Sequence, residues 1–409
     1  MNYKIYPPEE LIETTVRVPL SKSLSNRALI INALTPGAAL LTGVAVCDDT
    51  RAVMDALRSG NDAINVGAAG TAMRFLTAYF AVQSGRTVTI DGTERMRQRP
   101  IGTLVDALRQ CGATIEYLGA EGFPPLRITG GQLSGGVVAM DTSVSSQYVS
   151  ALLMVAPLMT DGLKLELGGD MVSRPYVDMT IGLMRQGGAE VDVAGDVITV
   201  AAGGYSPVEF TIEGDWSAAS YWYEVAAISS GFVTLEGLFR KSLQGDAHVA
   251  ELFKVFGLQS EFGDEGELEL MPTPDPGARL FTDLSDTPDL AQTLAVTCCL
   301  LSIPFNFTGL STLKIKETDR LKALCDELLK LGFYVRTEGD DTLHWDGVRF
   351  PVEEIPAIDT YQDHRMAMAF APVSLFVPGI VINDVDVVTK SYPGYWDDLR
   401  NAGFITEEL

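Results

Sequence analysis

A helical pattern that ends at a glycine and runs into an alternating strand recurs along this chain. The glycines lie 76, 69 and 75 residues apart, at Gly112, Gly188, Gly257 and Gly332. Glycine favours the left-handed conformation that ends a helix. The strands that follow, at residues 113–117, 189–193, 258–262 and 333–336, alternate in polarity, which predicts one buried and one solvated face. A unit of this length is typical of a small α/β subdomain, and about six units would fill the chain.

Two further segments resemble incomplete copies of this unit. Residues 53–60 precede a short strand at 62–64, and residues 399–404 lie at the end of the chain. Helix–glycine–strand elements also occur in α/β proteins without repetition, but the near-equal spacing favours true repeats. With 409 residues the chain is long for one hydrophobic core, which predicts two domains with a boundary near residues 211–215.

The charge balance narrows the possible partners. The chain has 54 acidic and 30 basic residues and a net charge of −24, so nucleic acids and anionic membranes are poor partners. The N-terminus lacks the apolar core of a signal peptide, and the apolar stretch 151–159 is too short to cross a bilayer. We therefore expect a cytoplasmic protein.

Cysteine and histidine usage argues against a zinc site. The five cysteines form no C-x-x-C pair, which suits reduced thiols. The three histidines show no zinc-ligand spacing, and the sequence contains no P-loop motif.

Residues 21–27 combine three serines with Lys22 and Arg27 at an expected helix N-terminus. Such a terminus presents free N–H groups and the positive end of the helix dipole, which suit a phosphate or a carboxylate. An ordinary serine cap beside two solvated cations is the alternative.

Four further segments of the N-terminal half could contact an anion. Small residues at 67–74 let the backbone approach a ligand near Gly70. Residues 95–100 contain three arginines, including Arg99, whose forked side chains bind carboxylate or phosphate at two points. Hydroxyl and amide groups lie at two more helix starts, at 142–148 and at Ser173. The alternatives are a glycine turn, a solvated loop and ordinary caps.

Charged residues also concentrate at expected helix starts in the C-terminal half. Residues 314–321 mix lysines, acids and an arginine before a long helix, which is also typical of a solvated first turn. His364 and Arg365 precede a clearly apolar helical face, and Asp289 follows a proline turn. A strongly acidic protein with such local basic segments is expected to bind small polyanions.

Together these segments resemble the 5-enolpyruvylshikimate-3-phosphate synthase family. The resemblance runs from residue 19 to residue 393 and rests on six ordered motifs, at 21–27, 69–74, 95–101, 143–147, 316–321 and 363–368. It implies an α/β fold of two similar domains, each built from three βαβαββ units. The stretch from residue 49 to residue 70 is shorter here than in the family, which predicts a shortened first unit. Residues 21–213 would form one domain and residues 1–20 with 214–409 the other. The family's active site lies in the interdomain cleft, and ligands close it.

The resemblance also implies the reaction and the site. The enolpyruvyl group of phosphoenolpyruvate would move to the 5-hydroxyl of shikimate 3-phosphate, phosphate would leave, and no metal or organic cofactor would take part. We expect a monomer. Acid–base work would fall to Asp289, Glu317 and Lys22. The residues expected to hold shikimate 3-phosphate are Lys22, Ser23, Arg27, Ser145, Ser146, Gln147, Ser173, Asp289 and Lys316. The residues expected to hold phosphoenolpyruvate are Lys22, Gly70, Arg99, Gln147, Arg320, Arg365 and Lys390.

The chain departs from the family pattern at two contact positions. Ala68 stands where the family usually has an asparagine beside phosphoenolpyruvate, and Thr312 stands where an asparagine often contacts shikimate 3-phosphate. Two alternatives stay open. One is the sister family that uses UDP-N-acetylglucosamine and carries a reactive loop cysteine, although Cys111 lies at a repeated helix end. The other is a catalytically silent anion-binding homologue.

Overall fold

The computed structural model describes residues 1–39, 41–141, 145–169, 171–263, 266–274 and 276–409. These residues form two compact units. We call Ser21–Ile212 the inserted unit, and Met1–Leu20 with Glu213–Leu409 the terminal unit. Glu213 thus falls on the other side of the predicted boundary, and its carboxylate accepts hydrogen bonds from the Phe239 N–H and the Ser242 hydroxyl. None of the helices in the described ranges combines the length and the apolar character that a membrane crossing requires.

The inserted unit has seven α-helices and eight strands in its described residues. Its helices are α1 (Lys22–Ala33), α2 (Asp48–Arg58), α3 (Gly70–Ala81), α4 (Glu94–Arg97), α5 (Gly102–Gln110), α6 (Ser146–Val155) and α7 (Arg174–Gln186). Its strands are β3 (Ala63–Asn65), β4 (Thr87–Asp91), β5 (Thr114–Tyr117), β6 (Leu126–Thr129), β7 (Gly136–Asp141), β8 (Leu163–Gly168), β9 (Val191–Ala194) and β10 (Val197–Val200). They form two sheets, in the orders β3-β4-β6-β5 and β7-β8-β10-β9.

The terminal unit includes the first two strands of the chain, β1 (Tyr3–Tyr6) and β2 (Glu13–Arg17). Its helices are α8 (Trp216–Ser229), α9 (Val249–Leu252), α10 (Ala291–Leu300), α11 (Arg320–Lys330), α12 (His364–Phe370) and α13 (Tyr395–Asn401). Its other strands are β11 (Phe232–Glu236), β12 (Leu258–Phe262), β13 (Leu268–Pro272), β14 (Leu280–Asp283), β15 (Phe305–Thr308), β16 (Arg336–Glu338), β17 (Thr342–Trp345), β18 (Ala357–Ile358), β19 (Ile380–Ile382) and β20 (Ile405–Glu408). The three sheets are β12-β13-β11-β2, β14-β15-β17-β16 and β18-β19-β1-β20.

All five sheets share one pairing pattern. In each, one parallel pair is extended by two antiparallel pairs, as in β14–β15, β15–β17 and β17–β16. In four sheets the chain order and the spatial order differ in the same way, and in the fifth, β18-β19-β1-β20, the N-terminal strand β1 takes the place of the last strand. Each sheet with its helices therefore corresponds to a βαβαββ unit. The predicted fold class is therefore confirmed. In one sheet the parallel partners β2 and β11 are separated in sequence by the whole inserted unit, and Glu13 pairs with Phe232.

The first repeat of the inserted unit is shortened, as predicted. Helices α1 and α2 pack together, and no strand is assigned between residues 21 and 62 where the structure describes them. Two helices therefore stand where the other repeats have two helices and a four-stranded sheet. The short strand β3 begins the next sheet by pairing in parallel with β4.

The glycines that mark the repeat end helices as the sequence predicts. Gly112, Gly188, Gly257 and Gly332 all have positive φ, between 70° and 99°, a conformation that a side chain would strain. Two details of the prediction were wrong. The predicted helix 249–257 is an α-helix only to Leu252 and continues as a 3-10 helix, and β16 begins at Arg336 because Phe333 forms an isolated bridge with Arg349.

Glu224 on α8 is an ionisable group without a charge partner in the core of the terminal unit. It is completely buried, neither carboxyl oxygen has a hydrogen-bond partner in the described ranges, and burial raises its pKa well above the ordinary value. A raised acid pKa means that the folded state binds more protons than the unfolded state between the two pKa values. Stability is therefore lost as pH rises above the unfolded pKa.

We expect Glu224→Gln to remove this pH dependence because glutamine does not ionise. The free energy of unfolding of the parent protein should fall relative to that of Glu224→Gln as pH rises from 5 to 8. The expected change is up to about 1.4 kcal/mol per pH unit. Urea unfolding can be followed by tryptophan fluorescence because all four tryptophans lie in the terminal unit. Glu269→Gln, at an exposed position of β13, is the control. Equal pH dependence in both variants would contradict the prediction.

Candidate active site

Lys22 lies at the start of α1, where Ser21 caps the helix by accepting a hydrogen bond from the Leu24 N–H. The Lys22 ammonium lies 3.7 Å from the Asp49 carboxylate in the first turn of α2. Both side chains are largely buried. The helix pair that remains of the first repeat thus holds this lysine between an acidic partner and a helix N-terminus.

Arg27, one turn further along α1, is a buried cation surrounded by neutral groups. Its guanidinium donates to Thr180 Oγ1 at 2.6 Å, Ser150 Oγ at 3.2 Å and the Tyr176 carbonyl at 3.1 Å. Another bond reaches the Ser23 carbonyl. Burial lowers the pKa of Arg27 to about 10, against a small opposing effect of Tyr176. Because no carboxylate lies within 4 Å in the described ranges, this charge suits an anionic ligand.

Gly70, the first residue of α3, lies directly against the Arg99 guanidinium. A Cβ atom on Gly70 would lie 2.6 Å from Arg99 Nη1, so a side chain here would displace the arginine. Arg99 is buried, and Arg99 Nε has no hydrogen-bond partner among the residues described. Arg74 stabilises the backbone on both sides of this contact, because its guanidinium donates hydrogen bonds to the carbonyls of Gly70 and Pro100.

Two of the three arginines at 95–99, Arg97 and Arg99, have different surroundings. Arg97 pairs with the Asp91 carboxylate at 2.5 Å and is about half exposed. Arg99 has no carboxylate within 4 Å in the described ranges and lies over the α3 N-terminus. Of these two arginines, Arg99 is therefore the one whose surroundings suit an anion.

Helix α6 brings its polar N-terminus to that of α3. Ser145 caps α6 by accepting a hydrogen bond from the Gln147 N–H, and the Gln147 amide donates to Thr71 Oγ1 at 3.3 Å. Ser146 is the first helical residue. Ser143, which belongs to the predicted motif, lies outside the described residues.

Ser173 precedes α7 in a left-handed conformation with a φ of 61°. This conformation is uncommon for a residue with a side chain, and such strain occurs often at functional sites. The Ser173 side chain is buried and makes no capping bond to its helix. Tyr176 and Thr180 of the same helix both contact Arg27, which joins this helix start to α1.

In the terminal unit, Arg320 is surrounded by three carboxylates. Arg320 Nε lies 2.6 Å from Asp363, Nη1 lies 2.9 Å from Asp289, and Nη2 lies 3.0 Å from Glu317. Burial by itself lowers the pKa of Arg320, but the three negative charges outweigh burial and raise it. This first residue of α11 therefore joins the two predicted catalytic acids, Asp289 and Glu317, in one network.

Each of these two acids also contacts a second cation. The Asp289 carboxylate accepts from Arg365 Nη2 at 2.7 Å, and its backbone carbonyl accepts from Arg365 Nη1 at 3.3 Å. The Glu317 carboxylate accepts from Lys390 at 2.5 Å. Lys316 directly precedes Glu317 and is half-buried. The network thus alternates acids and bases across elements far apart in sequence.

Several residues that build the site were missed as individual contributors. Asp363 lies within a predicted motif, but its role as the α12 cap and the partner of Arg320 was not predicted. Asp49 was not singled out beside Lys22, and Arg74 was named only as the end of a glycine-rich segment. The acidic start of α2, Asp48-Asp49, was the only signal for Asp49. No signal in the sequence pairs residues that meet only after folding.

The arrangement divides into two chemical sets. In the inserted unit, Arg27 and Arg99 have no carboxylate within 4 Å in the described ranges, and helix N-termini lie beside them. In the terminal unit, acids and cations alternate. The first set suits anion binding, and the second suits proton transfer beside a developing charge. No group of three His, Cys, Asp or Glu side chains that could hold a metal occurs in the described ranges.

Cys111 is unsuited to covalent chemistry. It caps the C-terminus of α5, is fully buried, and has its pKa raised to about 11 by burial. A reactive thiol would need the opposite shift. The reactive cysteine of the alternative family is therefore not provided by this residue.

Comparison with known proteins identifies the family of this chain. The family model described as EPSP synthase (3-phosphoshikimate 1-carboxyvinyltransferase) matches residues 7–59 and 59–399. The chain is 51% identical over 406 residues to a 3-phosphoshikimate 1-carboxyvinyltransferase of Bacteroides fragilis strain YCH46, covering 99% of this chain and 98% of that protein. It is 39% identical to the protein of that name from Vibrio cholerae M66-2, covering 95% and 97%.

A solved structure shows the same fold. The EPSP synthase of Acinetobacter baumannii superposes with a TM-score of 0.76 at 22% identity and covers both chains completely. At that identity the likeness shows the fold alone.

Proposed function

The chain belongs to the EPSP synthase (3-phosphoshikimate 1-carboxyvinyltransferase) family, and on that premise we propose which of its residues carry the reaction. The enzyme transfers the enolpyruvyl group of phosphoenolpyruvate to the 5-hydroxyl of shikimate 3-phosphate and releases phosphate, a step of the shikimate pathway.

The observation that carries the binding proposal is the pair of buried arginines without carboxylate partners, Arg27 and Arg99. A buried cation is unfavourable unless an opposite charge compensates it, and each substrate brings several negative charges. Shikimate 3-phosphate is held by Arg27 with the hydroxyl and amide groups beside it, and by Lys316. The full set is Lys22, Ser23, Arg27, Ser145, Ser146, Gln147, Ser173, Asp289 and Lys316.

Phosphoenolpyruvate is held by Arg99 over the N–H of Gly70, with Lys22 and Gln147 beside them. Arg320, Arg365 and Lys390 complete the set from the terminal unit. Arg320 has a second role, because it orients the carboxylates of Asp289 and Glu317. Its position makes it a structural centre for the acid–base residues as well as a source of positive charge.

The reaction requires two proton movements in each of its two stages, addition and elimination. During addition, Asp289 takes the proton of the 5-hydroxyl as its oxygen bonds to C2 of phosphoenolpyruvate, and the methylene carbon gains a proton from Glu317. During elimination, Glu317 removes a proton from the methyl carbon formed in the addition as the C–O bond to phosphate breaks, and the leaving phosphate takes the proton that Asp289 had accepted. Lys22 and the arginines stabilise the charge that develops on the phosphate.

Separate KM values for the two substrates test these assignments. We expect Gly70→Ala to raise the KM of phosphoenolpyruvate by about tenfold or more, because the new methyl group displaces the Arg99 guanidinium. The KM of shikimate 3-phosphate should change by less than about twofold, whereas Ser23→Ala should show the reverse pattern. The assay follows phosphate release with both substrates present.

The control for Gly70→Ala is Gly60→Ala, since a Cβ atom at Gly60 meets nothing within 4 Å. A Gly70→Ala enzyme with unchanged KM for phosphoenolpyruvate would contradict the placement of that substrate beside Arg99.

We further propose that the enzyme acts as a monomer in the cytoplasm. Every residue assigned above belongs to one chain, so no second copy is required. All five cysteines are free thiols, which suits a reducing compartment.

A further inference from the structure

Asp246 lies outside all the residues assigned to substrates, in the short 3-10 helix Gly245–His248 of the terminal unit. The side chain is buried, and Asp246 Oδ2 is hydrogen-bonded to the Ser217 hydroxyl. Asp246 Oδ1 has no hydrogen-bond partner in the described ranges. Burial and the nearby charge of Asp289 raise the pKa of Asp246 to about 7.

Ser217, in the first turn of α8, connects Asp246 to Arg365. The Arg365 Nη2 group donates to Ser217 Oγ at 3.5 Å and to Asp289 at 2.7 Å. An ionised carboxylate only accepts hydrogen bonds, and a guanidinium only donates them. The Ser217 proton must therefore point to Asp246, which leaves a lone pair of Ser217 Oγ facing Arg365.

The start of α8 is held in place without Asp246. Asp215 caps the helix by accepting from the Ala218 N–H at 3.0 Å. The Gln244 side chain accepts from the Trp216 N–H at 3.2 Å and donates to the Gly214 carbonyl at 2.7 Å. Since these bonds already fix the segment, stabilising the helix start does not account for a buried Asp246 carboxylate.

We propose that Asp246 is a positioning residue for phosphoenolpyruvate, which fixes the Arg365 guanidinium through the Ser217 hydroxyl. The inference rests on the proposed role of Arg365 in binding that substrate. The other terminal nitrogen of Arg365, Nη1, donates a hydrogen bond to the Tyr221 hydroxyl at 3.4 Å. Ser217 and Tyr221, one helical turn apart on α8, thus contact the two terminal nitrogens of Arg365.

A proton on Asp246 weakens this relay. The neutral acid no longer holds the Ser217 proton by a charge-assisted hydrogen bond, so the Ser217 hydroxyl is free to rotate and its lone pair is no longer fixed toward Arg365. The charged groups that act on Asp246 are the anions Asp289 and Asp215, which favour the proton, and the cation Arg365, which opposes it. His248, on the same short helix, is exposed. The relay is therefore strongest above about pH 7 and weakened below it.

The test is the pH dependence of the KM of phosphoenolpyruvate in Asp246→Asn. At pH 8.5 we expect this KM to rise about tenfold relative to the parent enzyme, as for the loss of a hydrogen bond to a charged group. At pH 6, where Asp246 is protonated in the parent enzyme, the ratio should fall to about two or less. The KM of shikimate 3-phosphate should stay within about twofold at both values, and kcat should change by less than the KM of phosphoenolpyruvate because Arg320 still holds Asp289.

Ser217→Ala should reproduce this pattern, and the double variant should add nothing to it, because both changes break one relay. Ser217→Ala also supplies the test if Asp246→Asn does not fold. Ser242→Ala is the control, since it removes a hydrogen bond to Glu213 near the same segment without touching Arg365. A KM ratio that is independent of pH, or equal rises for both substrates, would show a structural role and overturn the proposal. A fall in the KM of phosphoenolpyruvate would overturn it as well.

Arg365→Gln separates this inference from the proposed function. If Arg365→Gln leaves the KM of phosphoenolpyruvate unchanged, the assignment of Arg365 itself is wrong. If Arg365→Gln raises that KM but Asp246→Asn and Ser217→Ala do not, the assignment stands and the relay is rejected.

Discussion

Asp289→Asn is expected to lower kcat by about 10³-fold, within the range for loss of a general acid–base group. The Asp289 carboxylate is held between Arg320 and Arg365, so its geometry depends on two buried cations. Asparagine keeps the shape, but it cannot take the proton of the 5-hydroxyl. Its NH₂ group also faces a guanidinium, which adds a repulsive contact.

The measurement is phosphate release at saturating concentrations of both substrates, with tryptophan fluorescence unfolding to confirm that the terminal unit is intact. Asp286→Asn is the control because Asp286 is exposed and lies in the same loop. It should leave kcat within about twofold. If Asp289→Asn retained more than a tenth of the parent kcat with an unchanged unfolding midpoint, Asp289 would not be the base.

Arg320→Met is expected to give the largest loss of stability, about 3–5 kcal/mol, because it leaves three carboxylates without their shared cation. The loss should shrink as pH is lowered toward 4, since protonation of the carboxylates removes the uncompensated charge. Activity should be abolished as well, because Asp289 and Glu317 lose their common anchor.

Urea unfolding at several pH values, followed by tryptophan fluorescence, measures the effect of Arg320→Met in the terminal unit alone. Arg336→Met removes an arginine from an exposed ion pair in the same unit. This control should cost less than about 1 kcal/mol. Equal losses in the two variants, or a loss from Arg320→Met that does not change with pH, would mean that the buried network contributes little to folding.

Much of the fold could be predicted from local patterns. Helix–glycine–strand spacing indicated six α/β units because a glycine with positive φ just after an apolar helical run ends that helix locally, as at Gly112 and Gly188. An alternating strand was predicted at 189–193 because period-two polarity depends on neighbours in sequence, and the structure places β9 at Val191–Ala194. The strand predicted at 333–336 was displaced because Phe333 pairs with a distant residue, Arg349.

For the candidate site, the sequence indicated the charged residues but not their contacts. Resemblance to the family pointed to the charged residues, but it did not indicate which partners they would have. Arg99 and Arg97 are two residues apart, and only packing places Arg99 over Gly70 while Arg97 pairs with Asp91. The relay from Asp246 to Arg365 crosses 119 residues by way of Ser217.

The sequence by itself determined the repeat, the helix starts that carry the polar residues, and the family. These properties depend on short segments, in which spacing and capping chemistry act locally. Tertiary structure alone decided the parallel pairing of β2 with β11, the three acids around Arg320, and the neutral surroundings of Arg27. The physical reason is that burial and charge pairing are set by side chains far apart in sequence, which only the folded chain brings within hydrogen-bond distance.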